Sequence, residues 1–257
     1  MNYMKLLGFA AFAIGAILYL ASGDDHVIVV GKQNYDLGEY VKISDNSSSN
    51  VIVRVGEEYS LDIDADERDI ALLRIYVKGH TLVIEKRKGM LETWHGDIPK
   101  FTITLPKLKK YTVNGGSDVE IEGIHGSIFK AVVNGSGGIM FEGESEELVA
   151  KVNGSGELNG PSYDAHESKV VLNGSGTVAL SGNCGSLEVE INGSGSFEGR
   201  NYECETVEVD ILGSGSLEVH AREMVDVDVM GSGRVNIYGD PDRVKDRSHK
   251  KNHIVIH

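Results

Sequence analysis

Apolar and polar residues alternate in short runs along most of this chain, and small polar tetrads interrupt the runs at a nearly constant interval. In "KVVLNGSGTVALSG" (169–182), Val170 and Leu172 share one parity before the tetrad, and Val178 and Leu180 share one parity after it. A strand buries every second side chain, so each run reads as a half-buried strand and the tetrad as a bend between two of them. "VVNGSGGIMFEG", "AKVNGSGELNG", "VEINGSGSFEG", "VDILGSGSLEV" and "VDVMGSGRVNIYG" are variants of the same unit. The residues that open the corners are Asn114, Asn134, Asn153, Asn173, Asn192, Leu212 and Met230, at intervals of 20, 19, 20, 19, 20 and 18. A period near twenty marks a solenoid in which each repeat is one winding of chain.

Parity identifies the inside of the coil. The residue before each corner is Val113, Val133, Val152, Leu172, Ile191, Ile211 or Val229, and two positions earlier stand Tyr111, Ala131, Ala150, Val170, Val189, Val209 and Val227. Five residues after each mark come Val119, Ile139, Leu158, Val178, Phe197, Leu217 and Val235. Columns that repeat on every winding require parallel, in-register stacking, and crossovers between parallel strands of one sheet are right-handed. The pattern predicts an all-β, right-handed parallel β-helix with turns of 19–20 residues, two strands per turn meeting at the Asn-Gly-Ser-Gly corner.

Glycine turns such a corner because it enters left-handed backbone conformations without steric cost. Side chains in one column lie about 4.8 Å apart. At that spacing Asn114, Asn134, Asn153, Asn173 and Asn192 can form a ladder of amide hydrogen bonds, and the serines beside them (Ser136, Ser155, Ser175, Ser194, Ser214, Ser232) a hydroxyl ladder. No His or Asp recurs beside those serines to activate them as nucleophiles.

Residues 24–257 read as one domain. Within it, 24–112 carries strand-like runs without the corner motif, including a "KGH" turn at 78–80, and should form irregular first turns that cap one end. Residues 113–239 are the regular repeats, and 240–257 close the other end, where an open sheet edge would aggregate. Ahead of the domain, Lys5, the apolar run Leu6–Ala21 and "ASG" give residues 1–23 the form of an export signal cleaved after Gly23. An uncleaved membrane anchor is the alternative, and it is the one expected contact with a membrane.

Charge narrows the partners. A formal net charge of −14 disfavours nucleic acid, whose phosphates need a basic surface. The outward columns change sign along the coil: Lys110, Lys130 and Lys169 give way to Glu188, Glu208 and Asp226, and Lys151 to Glu190, Asp210 and Asp228. A solvated face accounts for this, and Ca²⁺ bridging Glu190, Asp210 and Asp228 is the sharper reading, since that ion takes several carboxylate oxygens. Otherwise no cofactor or metal is expected. His249, His253 and His257 are spaced by four, but "HIVIH" alternates like a strand. The Asn-x-Ser sequons at Asn134, Asn153, Asn173 and Asn192 fall on stacked positions that leave no room for neighbouring glycans. Cys184 and Cys204, the two cysteines, are twenty residues apart in one column of adjacent turns, which predicts a disulfide between turns in an oxidising compartment.

"TITLPKLKKYTVNGGSDVEIEG", the recurring "NGSG" corners, the closing "VNIYGDP" and the entry region from "YVKISDNSSSN" onward resemble the head GIN domain of the putative autotransporter adhesin family over residues 27–240. The chain departs from that pattern after "YGDP", where it has "RSHKKNH". The resemblance implies a β-helical, exported protein of the bacterial envelope, in the periplasm or at the cell surface, with no catalytic site to carry over. The expected function is a non-enzymatic, adhesin-like binding or structural module. Its partner would be an envelope or extracellular component, with polysaccharide or identical subunits suited to a repetitive surface. A polysaccharide-acting lyase or hydrolase on the same fold is the alternative.

Overall fold

The computed structural model describes residues 26–28, 38–87, 94–248 and 254–257. The export-signal segment 1–23 lies outside them, as do His249 and His253. Within them the chain is a parallel β-helix. Its two main sheets meet at the glycine corners, and every inward column named above is buried, from Val113 to Val229, Tyr111 to Val227 and Val119 to Val235. Each fully buried aliphatic side chain contributes about 1.5–3 kcal/mol, so the repetition of these columns makes the core.

Strand β1 (His26–Ile28) is followed by β2 (Lys42–Asn46) in sheet one, a corner at 47–49, and β3 (Asn50–Val55) in sheet two. The chain then leaves the coil through β4 (Ser60–Asp64), a single helical turn α1 (Glu67–Ile70) and the hairpin β5 (Leu73–Lys78) and β6 (Thr81–Lys86). The hairpin turns at Gly79 and His80, both with positive φ, the conformation a two-residue hairpin favours. Next come β7 (Lys100–Leu105), β8 (Lys110–Gly115), β9 (Asp118–Ile124) and β10 (Ile128–Gly135).

Order along the chain is not order in the stack here. Strand β2 pairs in parallel with β6 on one side and β8 on the other, and β3 likewise lies between β7 and β9. The first winding is therefore held between two later ones, and neither of its strands can peel away without breaking two ladders. Beyond it, β4 closes sheet two antiparallel to β7, while β5 and then β1 close sheet one with antiparallel pairings.

From β10 onward the stack is regular. Five long strands, β11 (Gly138–Gly154), β12 (Glu157–Gly174), β13 (Thr177–Gly193), β14 (Ser196–Gly213) and β15 (Ser216–Gly231), each run from one corner to the next. Their ladders continue around the coil between the two main sheets, with register shifts, through pairs such as Ser145↔Ala165 and Cys184↔Cys204. Each winding thus has a third face, where two strands per turn were expected. Inward aromatics fill the added width. Phe141 stands 5.5 Å from Phe129 and 5.1 Å from Tyr163, the Tyr163 hydroxyl donates to Ser145 at 2.9 Å, and the Tyr202 hydroxyl meets Ser168 at 2.8 Å. Strands β16 (Arg234–Tyr238), β17 (Arg243–Asp246) and β18 (Ile254–Ile256) finish the stack in parallel with the winding beneath.

Candidate binding faces

The corners position everything outside the coil, and their two glycines act for different reasons. The first has φ between +129° and +142° from Gly115 to Gly231, a region that L side chains avoid. The second does not, but a Cβ at Gly176 would lie 2.5 Å from the Gly156 carbonyl oxygen and 2.6 Å from Val152 Cγ1. The serine between them projects into solvent, and among the described residues no hydrogen bond joins the hydroxyls of that column. It is the backbone that repeats there: Ser155 N–H donates to Gly135 O and Ser194 N–H to Gly174 O, at 3.0 and 2.9 Å. The expected hydroxyl ladder is absent because the bend aims Oγ outward.

The asparagines do form a ladder. Asn134 donates to Asn114 at 2.7 Å, Asn153 to Asn134 at 2.7 Å, Asn173 to Asn153 at 2.9 Å and Asn192 to Asn173 at 3.1 Å. It also begins one winding earlier than the motif suggested, since Asn114 donates to Asn46 at 2.8 Å. The segment "DNSSSN" is a corner after all, with serines in place of glycines. Aligning the alternation of "YVKISDN" with that of "LKKYTVN" would have exposed it.

Sheet one presents the charged face. Lys42, Lys110 and Lys130 stack in register, and toward the other end the column turns acidic. There Lys169 Nζ bridges Glu188 at 2.8 Å and Glu190 at 2.7 Å. Its hydrogen bond to Glu188, and then that to Glu190, push the ammonium up to about 12, while the bond from Lys169 holds Glu190 below the usual carboxylate range. Strand β17 and the residue that follows it supply the second set of cations. Lys245 meets Asp226 at 2.8 Å, and Arg247 reaches Asp226 at 2.6 Å, Glu208 at 3.2 Å and Asp210 at 3.8 Å. Burial alone would raise Asp226, but these hydrogen bonds outweigh it and the carboxyl titrates low. Of the carboxylates read as a Ca²⁺ column, Glu190 and Asp210 thus face cations of the chain itself, and Asp228 lies within the field of Arg247.

On the third face, Cys184 and Cys204 form a disulfide across adjacent windings with Cα atoms 4.5 Å apart. An open groove of about 770 Å³ runs beside it, lined by Glu144, Asp164, His166, Glu203 and Arg222. Arg222 pairs with Glu203 and lowers its carboxyl by hydrogen bond and charge, and Asp164 accepts the backbone and side-chain N–H groups of Asn183 at 2.8 and 3.1 Å. At the far end His257 stacks on Tyr238, centroids 4.5 Å apart, and lies 3.3 Å from the Asn236 side chain. Among the described residues no cluster of three or more His, Cys, Asp or Glu side chains is arranged to hold a metal ion.

At the capped end, Asp69 of α1 is fully buried and ties in residues 94–96. It accepts the His95 N–H at 2.8 Å and the Gly96 N–H at 3.0 Å, with His95 Nδ1 2.9 Å away. Burial would raise its carboxyl, yet these bonds together hold it below the usual range.

A family model described as "putative auto-transporter adhesin, head GIN domain" matches residues 39–241. No curated protein matches the chain in sequence. Among solved structures, a putative adhesin of Parabacteroides merdae ATCC 43184 superposes with a TM-score of 0.80 at 17% identity, covering 91% of this chain and 94% of that one. A putative adhesin of Parabacteroides distasonis ATCC 8503 gives 0.77 at 17% identity, over 91% and 96%. A putative lipid binding protein of the same organism gives 0.75 at 20% identity, over 91% and 95%. At these identities the likeness is one of fold.

Proposed function

Because the chain belongs to the putative auto-transporter adhesin, head GIN domain family, we propose that it is a non-enzymatic, exported module of the cell envelope that binds through its long faces. The family's adhesin character suggests an envelope or surface location. The observation that carries the reading is the repetition of outward side chains, winding after winding, in columns at strand spacing. Such an array meets a partner that is itself extended and repetitive, as solenoid surfaces do. The bridge between Cys184 and Cys204 supports export, because disulfides persist in oxidising compartments. On the charged face Glu188, Glu190, Glu208 and Asp226 are engaged by Lys169, Lys245 and Arg247, which suits them to holding the surface in shape more than to proton transfer.

The test is retention of envelope components and glycans by the chain purified from the envelope fraction, run beside an assay for release of reducing ends from polysaccharides. Saturable retention without turnover is expected. Turnover with no retained partner would replace this reading with that of a polysaccharide-acting enzyme.

A further inference from the structure

Sheet two carries a notch that none of the roles above uses. It centres on Gly138, the first residue of β11, whose column neighbours Asp118 and Glu157 both carry side chains. The corner glycines are imposed by positive φ or by a neighbouring backbone, and neither reason applies to Gly138. Its φ lies outside the left-handed region, and a Cβ there would meet nothing nearer than Asp118 Oδ1 at 3.5 Å. A strand glycine weakens the strand and marks a bulge, a tight bend or the close approach of another group. Gly138 is in register with both neighbours, and Asp118, Glu157 and Thr177 make the same bend elsewhere, which leaves the last.

What surrounds the gap has a definite chemistry. The cavity measures about 480 Å³, within the ordinary range of small-ligand sites, about 300–1,000 Å³. Met140, on the same strand as the glycine, and Ile52, two strands away across Glu120, give its floor the apolar part. Asp118 and Glu157 flank it two strands apart, about 9–10 Å along the stack, and Glu120 lies beside them, with the amides of Asn50 and Asn159 also on the rim and Lys100 its one cation.

We propose that this notch binds a pyranose unit of a neutral glycan. The floor would take the C–H face of the ring, and the carboxylates, each accepting through two oxygens, would receive its hydroxyls. The amides both donate and accept, so they serve hydroxyls in either sense. Three carboxylates against one lysine repel an anionic sugar. The notch opens along sheet two, so a chain can cross it without threading. This inference rests on the reading of the protein as a binding module, and it names the ligand class of one face.

The experiment uses the full chain and ligand-observed NMR with cellobiose, N,N′-diacetylchitobiose and β-1,4-mannobiose, with spermidine as the cationic comparison. Gly138→Thr fills the notch with a residue that suits a strand. It should melt at or above the temperature of the unaltered chain while weakening saccharide binding at least tenfold. Asp118→Asn combined with Glu157→Gln should weaken it by a similar factor, and Lys151→Ala on sheet one should leave it unchanged. Binding of none of the three disaccharides, equal binding by Gly138→Thr, or tighter binding of spermidine than of any disaccharide would each overturn the proposal. If envelope components are still retained by Gly138→Thr as by the unaltered chain, the notch fails and the binding module stands; if the unaltered chain retains nothing, the module reading fails on its own account.

Discussion

The corner between β2 and β3 and the corner within the regular repeat make the same bend from different materials. In the repeat, an inward valine such as Val152 precedes Asn-Gly-Ser-Gly, and the bend is made by glycine backbone. In the first winding the inward position aligned with Val113 is Asp45, which is fully buried. Its carboxylate accepts the Ser47 N–H at 2.9 Å and receives the Ser47 and Tyr111 hydroxyls. Ser47 and Ser49 hydroxyls lie 2.6 Å apart, Ser49 N–H donates to Ser117 Oγ at 3.1 Å, and Ser48 takes the positive φ, +57°. One corner is shaped by backbone freedom and close approach, the other by a buried polar network. The second solution is confined to a winding clamped on both sides by later ones, where a network can be kept dry and complete.

The widest gap between the two should come from Gly174→Val. The residue has φ of +129°, and a Cβ would lie 2.4 Å from the Gly154 carbonyl oxygen, so strain and overlap act together. We expect a loss of at least about 4 kcal/mol, or failure to fold, measured by denaturant unfolding against Ser175→Val, which projects into solvent and should change little. A Gly174→Val protein with an unchanged midpoint would mean that glycine is not what makes the repeat's corner.

Asp45→Val tests the other corner by giving it the residue type the repeat carries at that position. The buried Ser47 N–H and the surrounding hydroxyls would lose their acceptor, and leaving such groups unsatisfied costs about 1–3 kcal/mol. The substitution should therefore lower stability by about that much, although it adds an apolar group to the core. A stabilised variant would show that the network is dispensable.

Acid should also act unevenly on the two regions. Asp69, at the capped end, titrates below an unfolded aspartate, so its contribution is complete above the ordinary carboxylate value near pH 4 and is lost as pH falls through the lower folded value. Glu190 and Asp226, in the regular coil, shift in the same direction, but the cations that hold them, Lys169, Lys245 and Arg247, are exposed, so salt screens those pairs. Below about pH 4, hydrogen exchange should accelerate first around 66–71 and 94–96, and Asp69→Asn should flatten that acid response at any salt concentration. Acceleration starting instead in β13–β15, and suppressed by salt, would reverse the assignment.

How far the sequence disclosed this molecule follows from what repeats. Inward columns, glycine corners, the asparagine ladder and the cysteine pairing depend on residues one winding apart, so a period of about twenty displays them directly. The placement of β2 and β3 between later strands does not, because nothing local in "YVKISDN" records which strands will lie on either side. The corner at Asn46 escaped because serine and a carboxylate replace the glycines that signal it elsewhere. The third face escaped because its columns mix residue types: Ser145, Ala165, Cys184, Cys204 and Ala221 stack in one, while Tyr163 faces Gly143 and Tyr202 faces Gly182 in another. Its register also shifts between windings, which blurs any strict alternation. Of the notch on sheet two, only the doubled glycine in "NGSGGIM" was visible, and it reads as part of the corner until the space above Gly138 is seen.

The smallest effect separates the amide ladder from the bend it decorates. The column of Asn114 to Asn192 continues as Leu212 and Met230, whose side chains are 55% and 54% exposed, and the corners there keep their glycine geometry, with φ of +133° at Gly213 and +142° at Gly231. The bend therefore does not need the amide, and Asn153→Leu should cost only about 1 kcal/mol, a melting shift of roughly 2–4 °C for a chain of this size. Asn114→Leu should cost more, because that amide reaches down to Asn46 as well as accepting from Asn134, and so helps tie the serine corner to the first glycine corner. If Asn153→Leu proved as damaging as Gly174→Val, the amide ladder and not the glycine backbone would set the corner, and the two regions would differ less than their residues suggest, since both bends would then depend on side-chain hydrogen bonds.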